Sequence, residues 1–312
     1  MKKGMALLLA GVLVFGTGGF QNAFVREVKA EASEGSTDGD TEDAPSLSVE
    51  VQTVSTGETD MDYITFGSGD KKFVIIPGLS VHSVMGLADS IAEAYKAFTE
   101  DYTVYLFDRP EELKEDTTIR DLASETAEAM KALDIEDAYL FGASQGGMIA
   151  QYLAIDHPEL VKRLVLGSTL SRTNDTFEKV AGEWIRMAEK KDEEGLIGGF
   201  VDDVYSEATL EAYRDTLISS NRGITDEEYQ RFIILAKSCL SFDCYEELAS
   251  ITCPVLVLGS EGDQVVTAEG SEELADALGC ELYLYDDSYG HGVYDEASDY
   301  KQHCLDFFAE AE

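Results

Sequence analysis

Apolar residues fall along this chain in two alternating rhythms. Short runs nearly free of polar interruption occur at Phe73-Val74-Ile75-Ile76, Thr103 to Phe107, Ala138 to Phe141, Leu164-Val165-Leu166 and Val255-Leu256-Val257-Leu258, and Glu281 to Tyr285 is read with them. Such runs predict strands buried on both faces, as in a parallel sheet. Between them lie stretches with helical spacing: about Val84 to Phe98, Thr118 to Leu133, Met148 to Ala154, Glu269 to Leu278, and about Tyr294 to Phe308. Strands alternating with helices imply right-handed crossovers. The expected class is therefore α/β, with a mostly parallel central sheet carrying helices on both faces. Ahead of it, Leu47 to Val54 alternates apolar and polar residues, and Tyr63 to Phe66 with Gly67 and Gly69 predicts a hairpin partner.

The rhythm breaks once. From Ser171 to Cys239 no buried-strand run occurs, while helical patterns recur at Phe177 to Glu189, Thr209 to Ser219 and Asp226 to Ser238. This reads as a helical cap inserted over the C-terminal edge of the sheet. Its apolar residues Phe177, Trp184, Ile185, Met187, Leu196, Ile197 and Phe200 either pack the insertion together or line a substrate pocket. The chain thus divides into a core at 47–170 and 240–312 and a cap at 171–239.

The beginning of the chain follows other rules. Lys2 and Lys3, the apolar stretch Met5 to Phe15 and the small residues around Val28-Lys29-Ala30 resemble a signal peptide over 1–30. The apolar stretch is shorter than the roughly 20 residues of a spanning helix. A secreted or extracytoplasmic protein with no stable membrane span after cleavage is expected, with an uncleaved anchor as the alternative. Residues 31–46 are acidic and almost devoid of apolar side chains, so they predict a disordered leader.

Composition narrows the partners. The 312 residues carry a net charge of −39 with no cluster of Lys and Arg, which argues against nucleic acid and anionic lipid. The five cysteines, Cys239, Cys244, Cys253, Cys280 and Cys304, show no metal spacing and leave at least one thiol free. Mostly buried thiols are expected, and no metal or organic cofactor is implied.

The stretch that carries chemistry is Gly142-Ala143-Ser144-Gln145-Gly146, set between a buried strand and a helix. In that context a G-x-S-x-G match describes a turn tight enough to lift the serine into the open, beside the positive end of a helix. Gly142 and Gly146 leave room for the turn. A serine hydroxyl needs a base, and the base an orienting acid. His291, flanked by Gly290 and Gly292 after a strand, is the base expected; His82, His157 and His303 read as structural. Asp263 follows the Val255 to Leu258 strand and is the acid expected, with Glu261, Asp286, Asp287 and Asp175 as competitors. An oxyanion hole needs two backbone N–H groups, which Gln145 and, after Pro77-Gly78, Leu79 would supply.

On these residues the segment from about Leu47 to Phe308 resembles the α/β-hydrolase fold family, in its lipase/esterase-like or lactonase-like members, and Thr118-Ile119-Arg120-Asp121-Leu122 is similar to a stretch in small lipase-like and lactonase-like members. Many members have His-Gly where this chain has Pro77-Gly78. The resemblance implies Ser144 as nucleophile, His291 as base and then acid, Asp263 as its orienter, and Leu79 and Gln145 as oxyanion donors. The function expected is a serine hydrolase acting on a small-molecule acyl substrate (ester, thioester, lactone or amide) through an acyl-enzyme. A non-catalytic binding protein and an acyltransferase on the same fold are the alternatives. An aminopeptidase would need an acid in the insertion, for which Glu183, Glu193, Glu194, Asp202 and Asp203 are available.

Overall fold

The computed structural model describes residues 48–310. The expected signal peptide over 1–30, the whole of the expected acidic leader over 31–46 and Leu47 therefore lie outside the described residues.

Eight strands form one sheet: β1 (Gln52–Ser55), β2 (Asp60–Gly67), β3 (Lys71–Ile76), β4 (Tyr102–Phe107), β5 (Ala138–Ala143), β6 (Val161–Gly167), β7 (Val255–Ser260) and β8 (Glu281–Tyr285). Their order across the sheet is β1-β2-β4-β3-β5-β6-β7-β8. The β1–β2 and β2–β4 pairings are antiparallel and every later pairing is parallel. The apolar runs explain why the interior strands sit in the middle. In β3, Val74 and Ile76 pack into the cluster on one face while Phe73 and Ile75 pack into the cluster on the other. Successive strand residues point to opposite faces, so a continuous apolar run needs a layer on each side.

Those layers are helical. Helix α1 (Ala88–Ala94) covers the Phe73 face. Helices α2 (Ile119–Ala132) and α3 (Gln145–Asp156) cover the other. Thr118 caps α2 with a capping box, its hydroxyl accepting from Asp121 N and the Asp121 carboxylate accepting from Thr118 N. Four helices fill the connection between β6 and β7: α4 (Asp175–Glu189), α5 (Glu193–Val204), α6 (Glu207–Ser220) and α7 (Asp226–Leu240). The pattern had suggested three. The fourth, α5, is short and glycine-rich, and Asp192 starts it by accepting from Gly195 N. Helices α8 (Ala268–Leu278), α9 (Val293–Glu296) and α10 (Tyr300–Ala309) complete the chain.

Four expectations shift. The strand expected from Leu47 begins only at Gln52; Val49 N instead donates to Asp89 Oδ1 at 2.8 Å and Val51 is exposed. The helix expected over Val84 to Phe98 is a central α1 with 3-10 turns at Val84–Leu87 and Lys96–Phe98. The helix expected from Tyr294 divides at Ala297, whose backbone is extended. Finally, β8 is an edge strand with alternating exposure instead of a buried one, because it pairs only with β7. All five cysteines are free thiols, and Cys239, Cys244 and Cys304 are buried.

Candidate active site

Ser144 stands between β5 and α3 with φ 51° and ψ −119°, a backbone region that L-residues rarely adopt. The strain is held by neighbours. Ser144 N donates to Gly167 O at 2.9 Å, Thr169 Oγ1 donates to Ser144 O at 2.8 Å, and Gly147 N donates to the same oxygen at 2.8 Å. Glycine is required on both sides of the turn. A Cβ on Gly146 would stand 2.0 Å from Ile76 O, and one on Gly142 would stand 2.5 Å from Gly146 O. Backbone strain that persists under such over-determination is the kind stored at functional sites.

The C-terminal ends of β7 and β8 supply the next two groups. His291 Nδ1 lies 2.8 Å from Asp263 Oδ2, with both side chains almost fully buried. The other carboxylate oxygen of Asp263 accepts from Val265 N at 2.8 Å and Val266 N at 2.9 Å. Burial by itself would raise the Asp263 pKa. The facing imidazole and the two amides outweigh it and hold the carboxyl below its ordinary value. Ser144 and His291 line one cleft together with Gly78, Leu79, Trp184, Phe200, Val204 and Tyr294.

The competitors for the acid are placed elsewhere. Asp286 accepts from Ser288 N, Glu261 and Asp287 are exposed, and Asp175 opens the first turn of α4. Of the other histidines, His157 ends α3 and His303 lies against the Tyr283 ring at 4.1 Å. His82 is buried with Nδ1 2.7 Å from Glu228 Oε1 and Nε2 2.9 Å from Asn221 O, so it ties the loop after β3 to α6 and α7. Among the apolar residues expected in the insertion, Trp184 and Phe200 reach the cleft. Phe177, Ile185, Leu196 and Ile197 pack in the core cluster, with Met187 partly buried against it. Four of the five acids named in the insertion are paired: Glu183 with Arg186, Asp202 with Arg214, Asp203 with Trp184 Nε1, and Glu193 with Gly223 N and Ile224 N, while Glu194 lies in the first turn of α5.

Two groups had no place in the sequence reading. Arg109, at the end of β4, is buried, and burial pulls its guanidinium down to about 10. Its Nη2 donates to Pro77 O and its Nε to Gln145 Oε1 at 3.0 Å, so one side chain clamps the Gly78 loop to the start of α3. Gln145 Nε2 in turn donates to Leu235 O at 2.9 Å on α7. The sequence signal for Arg109 is a charged pair, Asp108-Arg109, closing an apolar strand at the same end of the sheet as Ser144. The second group is Glu296, whose carboxylate accepts from Gly290 N and Ser206 N, both at 2.8 Å. That clamp explains the glycines beside His291. A Cβ on Gly290 would meet Val204 O at 2.7 Å, and Gly292 N donates to Val204 O at 2.8 Å.

A model of the alpha/beta hydrolase fold matches residues 72–298. The chain belongs to that family. Relatives within it include a protein of Serratia proteamaculans named for carbamate hydrolysis, RutD, 27% identical over 175 residues, covering 52% of this chain and 61% of the relative. A 3-oxoadipate enol-lactonase of Acinetobacter baylyi is 25% identical over 178 residues, covering 54% of this chain and 63% of its own. The chain therefore spans somewhat over three fifths of the length of these curated relatives. Among solved structures, an alpha/beta hydrolase enzyme from a deep-sea metagenome library superposes with TM-score 0.75 at 21% identity, over 84% of this chain and 98% of that one. The enol-lactonase of Burkholderia xenovorans superposes with TM-score 0.72 at 19% identity, over 83% and 100%. In this hydrolase family member, no helix among the described residues is long and apolar enough to cross a membrane.

Proposed function

We propose that this member of the family is a serine hydrolase that cleaves a small ester, thioester, lactone or amide through an acyl-enzyme. One observation carries the reading: a serine strained at a strand-to-helix turn shares a cleft with a histidine whose Nδ1 is bonded to a buried aspartate. Asp263 accepts from Nδ1, which fixes the tautomer and leaves Nε2 free to take a proton from Ser144 Oγ. The hydroxyl oxygen then attacks the acyl carbon. As the carbonyl π bond opens, negative charge gathers on its oxygen beside the amides of Leu79 and Gln145, the first of these in the loop after Gly78 and the second at the N-terminus of α3. His291 returns the proton to the leaving group, and water repeats the sequence to release the acid. The four helices between β6 and β7 act as the cap, with Trp184, Phe200 and Val204 roofing the site.

The test uses short-chain aryl esters and a fluorophosphonate probe on the wild type and Ser144→Ala. Covalent labelling and turnover are expected in the wild type and absent from Ser144→Ala. A folded wild type that takes no label would overturn the acyl-enzyme reading and favour a ligand-binding role.

A further inference from the structure

Tyr294 follows His291 by three residues, on α9. Its ring is buried, and it faces both the Ser144 cleft and a second, small cavity walled by Ile75, Pro77, Leu79, Phe141 and Ala143. Its hydroxyl is unlike those of the surrounding tyrosines. The hydroxyls of Tyr95, Tyr205 and Tyr300 are shut into the interior without a partner. Tyr294 is not among them: it lines both cavities, and no hydrogen bond of its hydroxyl is found among the described residues.

Gly78 shows where this hydroxyl points. A Cβ there would stand 3.3 Å from Ser144 Cβ, 3.5 Å from Ala143 O and 3.8 Å from Tyr294 Oη, so the open face of Gly78 is a notch bordered by the serine, the Ala143 carbonyl and the phenol. The rest of the cleft wall is largely apolar: Leu79, Trp184, Phe200 and Val204. A donor left unpaired in such surroundings is costly once water is expelled, and it gains most from an acceptor that the ligand brings.

We propose that Tyr294 Oη is a third catalytic hydrogen-bond donor, bonding the carbonyl oxygen of the substrate in the Gly78 notch beside the amides of Leu79 and Gln145. The inference rests on the serine-hydrolase reading. In the step concerned, the bond from Ser144 Oγ to the acyl carbon forms, the carbonyl π pair moves onto oxygen, and the Ser144 proton goes to His291. Tyr294 keeps its own proton, and its hydrogen bond strengthens as the oxygen becomes an oxyanion. Burial, with the negative charges of Asp295, Asp263 and Glu296, pushes the phenol well above its ordinary value, so it stays a protonated donor throughout the working range.

The experiment compares the full chain with Tyr294→Phe and, as a control, Tyr95→Phe, whose hydroxyl is enclosed away from the cleft. Thermal midpoints establish folding, and fluorophosphonate labelling of the wild type establishes the hydrolase. The burst and steady-state phases on an aryl ester then give acylation rate, kcat and KM. Tyr294→Phe is expected to lower acylation, and kcat/KM with it, by about 10²- to 10³-fold with KM nearly unchanged, as for loss of one oxyanion donor. Tyr95→Phe should leave all three constants in place. Wild-type kinetics in Tyr294→Phe, a change confined to KM, or an equal loss in Tyr95→Phe would each overturn the role of Tyr294 while leaving the hydrolase standing. Absence of labelling in the wild type would overturn both.

Discussion

At the residue scale the site depends on one buried carboxylate–imidazole hydrogen bond held by fixed dipoles. Asp263 accepts three hydrogen bonds, from His291, Val265 and Val266, with no solvent to share the work. An amide at this position is uncharged and presents a donor as well as an acceptor, so it no longer enforces the tautomer with Nδ1 protonated. Asp263→Asn is expected to reduce kcat by roughly 10³- to 10⁴-fold, measured on the same aryl ester. The change also has a pH signature. Because the folded carboxyl lies below its unfolded value of about 3.9, the native state binds fewer protons there than the unfolded chain does. The stabilisation is complete above the unfolded value and is lost as pH falls through the depressed folded one. Denaturant titrations should therefore show wild type and Asp263→Asn furthest apart near neutrality and converging in acid. A gap that widens on acidification would contradict the assignment. The sequence favours Asp263 but leaves it four competitors, since Glu261, Asp286, Asp287 and Asp175 also lie at or after strand ends. The choice is made by which carboxylate reaches the ring, a distance no local pattern encodes.

At the scale of elements, the strand ends are brought into register by clamps that cross between them. Arg109 joins the end of β4 to the Pro77 loop and to α3, Gln145 joins α3 to α7, and Glu296 joins the His291 loop to the start of α6. A planar guanidinium fork makes two of these bonds at once, which a lysine ammonium reproduces poorly. Arg109→Gln leaves buried acceptors without a donor, at a cost of about 1–3 kcal/mol each. It also frees the loop that carries Leu79. Arg109→Lys is expected to fold yet to lose about tenfold or more in kcat with a small change in KM, because the proposed oxyanion donors would be held in place less firmly. Unchanged kcat in a folded Arg109→Lys would show that the loop is held without it. The pattern of the chain marked Asp108-Arg109-Pro110 as a strand end and no more, since its partners lie 32 and 36 residues away. The local geometry of Ser144 was more legible, because two glycines four residues apart between a strand and a helix leave the backbone few alternatives.

At the scale of the whole molecule, a formal charge of −39 on 312 residues makes the chain strongly self-repelling. Salt screens exposed charges beyond a Debye length of about 10 Å at 0.1 M. The thermal midpoint is thus expected to rise between low salt and about 0.5 M sodium chloride, by about 2–4 °C for each kcal/mol of repulsion relieved. A midpoint that falls with salt would mean that attractive surface pairs such as Arg120 with Asp156 and Glu247 outweigh the net charge.

What the sequence by itself determined is whatever depends on near neighbours. Continuous apolar runs have to be buried on both faces, which requires a layered α/β fold, and the glycines around Ser144 require a tight turn. Tertiary structure decided the rest: the edge position of β8, the division of the last helix, the meeting of Asp263 with His291, the Arg109 clamp and the hydroxyl of Tyr294 in the Gly78 notch. These depend on which strands lie side by side, and strand order is set by long-range packing between segments that carry no local record of one another.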